Sequence, residues 1–185
     1  MKTLLNILFI LLFSLTTNYS YANDNERISL WGSTYYGMPL KELLAALPSA
    51  QTKLEYASTL ILKPNEQILA KKENLEIAGQ VFNAWFIFKN DQLNKVALTL
   101  LLKENQTEVL SSSEAINALY TQYAVLLTAK YGEPVKKSWQ DYAPLNIRLW
   151  QTQWISGMTN IELNVDKSSL QIIYGAEYAE DLLNL

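Results

Sequence analysis

The side chains that enzymes most often use as nucleophiles, bases and metal ligands are missing from this chain of 185 residues, which contains no histidine and no cysteine. One copy therefore cannot assemble a Ser-His-Asp or Cys-His catalytic group. Metal sites built from imidazole or thiolate ligands are excluded for the same reason. The chemistry that remains open depends on carboxylates, oxygen ligands and aromatic rings.

Carboxylates are the remaining route to catalysis, since a pair of them flanking a scissile glycosidic bond can hydrolyse it. Five carboxylates lie on or beside predicted strands: Glu55, Glu76, Glu104, Asp141 and Glu162. None has the apolar sequence surroundings that would raise its pKa to suit a general acid. We predict no catalytic residue, and a carboxylate-dependent hydrolase is kept only as an alternative.

Oxygen-ligand and phosphate sites are not indicated by the sequence. No D-x-D-x-D-G calcium loop is present, and the nearest candidate, Asn90-Asp91, is better explained as a hairpin turn. The 6 glycines are too far apart to form a phosphate-binding loop. We therefore expect no metal and no cofactor.

Aromatic residues give the stronger indication of a binding site. Trp139, Tyr142, Trp150 and Trp154 fall within sixteen residues. On a strand, Arg148, Trp150, Thr152 and Trp154 share one face, opposite Leu145, Ile147 and Leu149. If the leucine face is inward, the Trp-Trp-Arg strip is outward and has the composition of a binding hot spot for a protein or a carbohydrate.

An alternative places the same tryptophans in the core. A bulge between Leu149 and Trp154 would turn one or both beneath the central helix, which is the more usual position for tryptophans on a sheet. Trp85 faces opposite Phe82, Phe86 and Phe88 and is a second candidate for exposure. The predicted binding residues are Arg148, Trp150, Trp154 and Trp85.

The element that organises the chain is a helix predicted from Ser111 to Pro134. Ser111 and Glu114 have capping-box spacing, and Gly132 followed by Pro134 marks the end. One apolar stripe has helical periodicity: Ile116, Leu119, Tyr120, Tyr123, Leu126, Leu127 and Tyr131. Because the flanking sequence is rich in strand patterns, this stripe should pack on a sheet.

The other predicted elements are a short helix and several strands. The helix begins at Pro39 and ends before Pro48, with leucines on one face. Alternating phenylalanines from Phe82 to Phe88, the turn at residues 89–92, and alternating apolar residues from Val96 predict a hairpin. Residues 28–37 and 54–62 read as further strands, 65–74 and the tail after 175 stay open, and four strand candidates follow the central helix.

These elements predict an α+β fold: an antiparallel β-sheet with two helices packed on one face. We predict that residues 23–185 form a single domain, and the order of their elements leads to the hypothesis of two helix-plus-meander repeats, 28–103 and 111–175.

The ends and the composition indicate export. Residues 1–22 combine Lys2, an apolar run from Leu4 to Leu15 and the small-x-small sequence Ser20-Tyr21-Ala22, which is typical of a signal peptide cleaved after Ala22. The remaining 163 residues carry 14 basic and 18 acidic side chains and no disulfide. We expect a soluble bacterial periplasmic or secreted protein with no membrane span after cleavage and no nucleic-acid partner.

The stretch Tyr36-Gly37-Met38-Pro39-Leu40-Lys41-Glu42-Leu43-Leu44 with Leu47 resembles the opening of small bacterial envelope modules. It is similar to the SmpA/OmlA (BamE-like) outer-membrane assembly lipoproteins and to the beta-lactamase-inhibitor-protein-like domains, which use two helix-plus-sheet repeats. The resemblance implies a non-catalytic binding module of the cell envelope. This chain lacks the anchoring cysteine of those lipoproteins and the disulfides of those inhibitors.

The predicted function is an exported, non-catalytic binding or accessory protein of the bacterial cell envelope, whose partner is another envelope or secreted protein. An inhibitor of a secreted hydrolase is a second reading, and it predicts a stable stoichiometric complex with loss of the target's activity. The sequence leaves the identity of the partner, any small ligand and the oligomeric state open.

Overall fold

The computed structural model describes residues 27–54, 60–101, 113–142, 147–166 and 169–176. The predicted signal peptide and the tail after residue 176 lie outside these ranges. Two helices and seven strands are present: α1 Leu40–Ala46, β1 Glu66–Ile77, β2 Gln80–Lys89, β3 Gln92–Leu100, α2 Ser113–Tyr131, β4 Lys136–Tyr142, β5 Ile147–Ser156, β6 Thr159–Val165 and β7 Leu170–Gly175. The α+β class and the antiparallel sheet are confirmed.

All seven strands belong to one antiparallel sheet with the order β1-β2-β3-β7-β6-β5-β4. Within the first three strands and within the last four, each strand pairs with its neighbours in sequence. The two sets meet where β3 pairs with β7, from Lys95 opposite Gly175 to Thr99 opposite Gln171. This order places β1 and β4 at the two edges of the sheet.

The predicted hairpin is β2 and β3. Asn90 and Asp91 at its turn both have positive φ, 53° and 61°, which a two-residue type I′ turn requires at both central positions. Phe82, Phe86 and Phe88 are buried on one face, as their alternation predicts. A register shift after Ile87 allows Leu93 and Val96, three residues apart on β3, to enter the same core.

Helix α1 is short and lies close to its predicted position. Pro39 precedes it in an extended conformation, and the helix ends at Ala46, just before Leu47 and Pro48. Leu43 is fully buried, and its neighbours on the same side pack against the core: Leu40, Leu44 and Leu47.

Helix α2 confirms the central prediction with one exception in its stripe. Gly132 has φ of 85° and its N–H donates to the carbonyl of Thr128 at 2.9 Å, which ends the helix in the left-handed conformation. Tyr123 and Leu127 are buried, whereas Leu126 is 44% exposed and its assignment to the packed stripe is wrong. The stripe is narrower than predicted, and the capping residue Ser111 lies outside the described ranges.

One hydrophobic cluster contains residues of both helices and of the strands. Tyr123 packs edge-on against Phe82, and its hydroxyl donates to the carbonyl of Ile77 at 3.0 Å. Leu30 and Met38 of the segment before α1 enter the same cluster. We call the face of the sheet that carries this cluster the inner face and the opposite face the outer face.

Two strand assignments in the first part of the chain need correction. Residues 28–37 form turns with a single bridge, Ser29 opposite Tyr35, because Gly32 takes φ of 62° and Thr34 hydrogen-bonds back to Trp31. No strand is present in the described part of 54–62, while the open segment 65–74 belongs to β1.

Candidate functional site

Trp154 is a core residue and not part of an exposed strip. Its side chain is fully buried and belongs to the main hydrophobic cluster. No bulge is needed to bury it, because β5 pairs with β6 in continuous register from Trp150 to Ser156. The even-numbered residues of β5 face the helices and the odd-numbered ones face outward, so the leucine face is not the inner one.

Trp85 lies on the outer face, as its alternation with the phenylalanines predicts, but it is only 8% exposed. Leu54, Leu60 and Ile173 pack over a small second cluster that contains Trp85. Its indole N–H donates to the hydroxyl of Thr99 at 2.7 Å. The expectation of exposure is therefore wrong, because residues preceding β1 cover this part of the outer face.

Trp150 is half-buried beside α2. Its ring lies 5.7 Å from the ring of Tyr120, centroid to centroid, and the Tyr120 hydroxyl is 2.5 Å from that of Thr152. These contacts fix Trp150 on the helix-facing side of the sheet. Arg148 occupies the position on β5 opposite Asp141 of β4; its side chain lies outside the described part of the structure.

Trp139 on β4 is the exposed tryptophan. Its side chain is 60% exposed, and the register places it directly opposite Trp150 on the same face of the sheet. The sequence shows the cluster of tryptophans but does not show that β4 ends the sheet, so Trp139 is absent from the predicted site. Edge position is the property that exposes it.

Strand β4 has an open side within the described residues, since β5 is the strand that pairs with it there. Its register with β5 is continuous over seven residue pairs, from Lys136–Gln153 to Tyr142–Ile147. Lys136 and Lys137 are exposed, as is Val135 just before the strand. Trp139, Trp150 and Tyr120, together with the open side of β4, are referred to below as the aromatic edge.

A largely buried charged pair lies near the other edge of the sheet. Lys95 Nζ is 3.0 Å from Glu66 Oε1, and the two side chains are 15% and 3% exposed. Burial alone would raise the pKa of Glu66, but hydrogen bonds from the Lys63 backbone, Lys95 and Asn94, with the charge of Lys95, hold it below the usual value. Glu66 is therefore an ionised structural group.

The carboxylates considered for hydrolysis do not form a pair among the described residues. Glu76 on β1 and Glu162 on β6 are four strand spacings apart, roughly 19 Å at about 4.8 Å each. Paired glycosidase carboxylates are separated by about 5 to 10 Å. Glu55, Glu104 and the side chain of Asp141 lie outside the described part of the structure.

Glu162 belongs to an amide network on the outer face. Gln151 and Asn160 donate to its two carboxylate oxygens at 3.3 Å and 3.0 Å, and Gln153 donates to the Asn160 carbonyl oxygen at 2.7 Å. The network explains Glu162 as a hydrogen-bonded surface group.

Across the described ranges, no group of three acidic side chains is placed to hold a metal ion, and neither helix combines the length and apolar character that crossing a bilayer requires. Comparisons with protein-family models, curated proteins and solved structures give no match. The resemblance to the envelope modules therefore remains a hypothesis, and the aromatic edge is the feature from which a function is argued.

Proposed function

We propose that this chain is an exported, non-catalytic binding module of the bacterial cell envelope that takes a strand of a partner protein on its aromatic edge. The observation that carries the proposal is Trp139, a largely exposed tryptophan on an edge strand, directly opposite Trp150. Tryptophan is enriched among the residues that dominate binding energy at protein interfaces. An edge strand also offers backbone donors and acceptors to an added strand.

The packing around Trp150 prepares this surface for binding. Trp150 rests on Tyr120, and the Tyr120 hydroxyl meets the hydroxyl of Thr152, a buried residue. Side chains held in this way lose little conformational freedom when a partner binds. Trp150 and Tyr120 therefore form a fixed surface beside Trp139, and the open edge of β4 receives the partner strand.

The charge of β4 favours an acidic segment in the partner. Lys136 and Lys137 are adjacent and exposed at the start of the strand. On an added strand, a carboxylate opposite a lysine contributes a favourable cross-strand pair, whereas a second lysine there is unfavourable. The expected partner strand thus combines an apolar residue facing Trp139 with an acidic residue facing at least one of the lysines.

The two-unit architecture is proposed on the order of elements. Each half has a helix followed by an antiparallel meander, and the halves meet at β3 and β7. This order is what the resemblance to two-repeat envelope domains leads one to expect. The signal-peptide pattern of residues 1–22 supports a periplasmic or secreted location for the mature chain.

The test is crosslinking in living cells with a photoreactive residue at position 138, next to Trp139 in sequence. We expect one discrete protein adduct, which disappears when Trp139→Ala is added. Val125→Ala is the matched control, because Val125 is equally exposed, at 61%, on the outer side of α2. A soluble, folded Trp139→Ala variant that still gives the adduct, or an adduct that needs Val125, would refute the aromatic edge as the binding site.

A further inference from the structure

We infer that the strand bound by the aromatic edge is β4 of a second copy of this chain, paired antiparallel about a two-fold axis through Trp139. The inference rests on the proposed function and names the partner at the same edge. It follows from the sequence of β4 and from the geometry of antiparallel pairing. The result is a continuous sheet of two times seven strands.

Symmetry limits the registers that two β4 strands can adopt. Paired residues of antiparallel strands face the same side, and neighbours along a strand alternate. A two-fold axis between identical antiparallel strands must therefore lie at a residue that pairs with its own copy. It cannot lie between two neighbouring residues, because these face opposite sides of the sheet. The positions in the middle of β4 are the five from Lys137 to Asp141.

Of these five registers, one brings opposite charges together. An axis at Lys137 or at Asp141 sets that residue opposite its own copy, so that like charges meet. An axis at Ser138 or Gln140 leaves Lys137 and Asp141 opposite uncharged residues. An axis at Trp139 places Lys137 opposite Asp141 of the second copy, twice by symmetry.

The register at Trp139 also continues rows that already cross the sheet. Trp150 pairs with Trp139 within one chain, so the dimer would align four tryptophan positions, two from each copy. The register within one chain sets Arg148 opposite Asp141, and the dimer would add Lys137 of the second copy on the other side. Alternating charge and continuous aromatic residues in adjacent strands are both favourable cross-strand arrangements.

Sedimentation of the mature protein and its charge-reversed variants tests the inference. We expect a concentration-dependent dimer. Lys137→Asp and Asp141→Lys should each raise the dissociation constant roughly 10- to 30-fold, because two opposite-charge pairs become two like-charge pairs. An equal mixture of the two variants should recover dimer formation, since a mixed dimer again has opposite charges at both positions. Lys136→Asp, which changes a neighbouring charge outside this pairing, is the control and should have a smaller effect.

Cysteine pairing tests the register separately, because the natural chain has no cysteine. Lys137→Cys mixed with Asp141→Cys should form a disulfide between chains, whereas either variant alone should not, since opposite residues in antiparallel strands lie within disulfide reach. A monomer at all concentrations, or no recovery on mixing, would overturn the inference. If the crosslinking adduct then proved to be a different protein, the proposed function would stand; with no adduct at all, both would fail.

Discussion

The two edge strands, β1 and β4, differ in how far their unpaired backbone edge is protected. A strand at the edge of a sheet exposes unpaired backbone groups to which another chain can add. β1 is twelve residues long and contains two register shifts against β2. β4 is seven residues long and pairs in continuous register.

The open edge of β1 is partly covered by a segment of the same chain that contains Gln51. Gln51 and Lys71 exchange two backbone hydrogen bonds, of 2.7 Å and 2.8 Å. Glu66 anchors the beginning of the strand, because its carboxylate contacts Lys95 and accepts a hydrogen bond from Asn94 of β3. Irregular pairing, charged residues and a covering segment are the usual protections of an edge.

β4 has two exposed lysines, Lys136 and Lys137, but no register shift and, among the described residues, no covering segment. It also carries Trp139, whose side chain is largely exposed. An edge that is open within the described residues and carries an aromatic residue has the arrangement expected of strand-mediated binding. This difference between the two edges supports β4 as the proposed binding edge.

The largest expected effect separates the tryptophans of the core from that of the edge. Trp154→Ala should lower the free energy of unfolding by about 3 to 5 kcal/mol, because it empties a fully buried site. Trp139→Ala should change it by about 0.5 kcal/mol or less, as for most surface substitutions. Chemical denaturation of both variants measures the difference; equal losses would show that Trp139 is structural.

The next effect concerns the anchor of β1. Glu66→Gln removes the carboxylate that lies 3.0 Å from Lys95 Nζ in a largely buried site and should cost about 3 kcal/mol. Because the folded-state pKa of Glu66 lies below its ordinary value of 4.5, its contribution is present above that pH and is lost as the pH falls through the folded-state pKa. Denaturation between pH 7 and pH 3 should show a shallower acid decline for the variant; an unchanged profile would contradict this assignment.

A smaller effect is expected on opening the covered side of β1. Gln51→Pro removes the N–H that donates to Lys71 and should cost about 1 kcal/mol. The freed edge should also increase light scattering on incubation. Gln51→Ala keeps the donor and serves as the control; scattering that rises equally in both variants would argue against a protective role for this contact.

An effect of similar size tests the support of Trp150. Tyr120→Phe removes the hydroxyl that meets Thr152 and should cost about 1 kcal/mol of stability, because Thr152 is buried. The crosslinking adduct at the aromatic edge should weaken but persist. An adduct of unchanged strength would show that the position of Trp150 does not depend on this hydrogen bond.

Local features of the fold could be predicted from the sequence. The β2–β3 turn follows from Asn90 and Asp91, which tolerate positive φ, and the end of α2 follows from Gly132. The phenylalanine alternation of β2 identifies its inner face directly. In each case the residues that determine the structure are close in sequence.

The aromatic edge could not be predicted in the same way, because it depends on distant strands. The strand pattern of β5 shows that Trp150 and Trp154 share a face, but the position of α2 decides that this face is the inner one. Trp85 is covered by Leu54 and Leu60, which are far from it in sequence. The exposure of Trp139 depends on strand order, a property of the whole sheet.

The most direct test of the central claim is hydrogen exchange of the mature protein at low and at hundredfold higher concentration, followed by mass spectrometry of peptides from β1 and β4. We predict that amides of β4 become more protected at high concentration, that those of β1 do not, and that Trp139→Ala abolishes the change. Protection that is independent of concentration in β4, or that rises in β1 instead, would contradict the assignment of β4 as the edge on which a second copy binds.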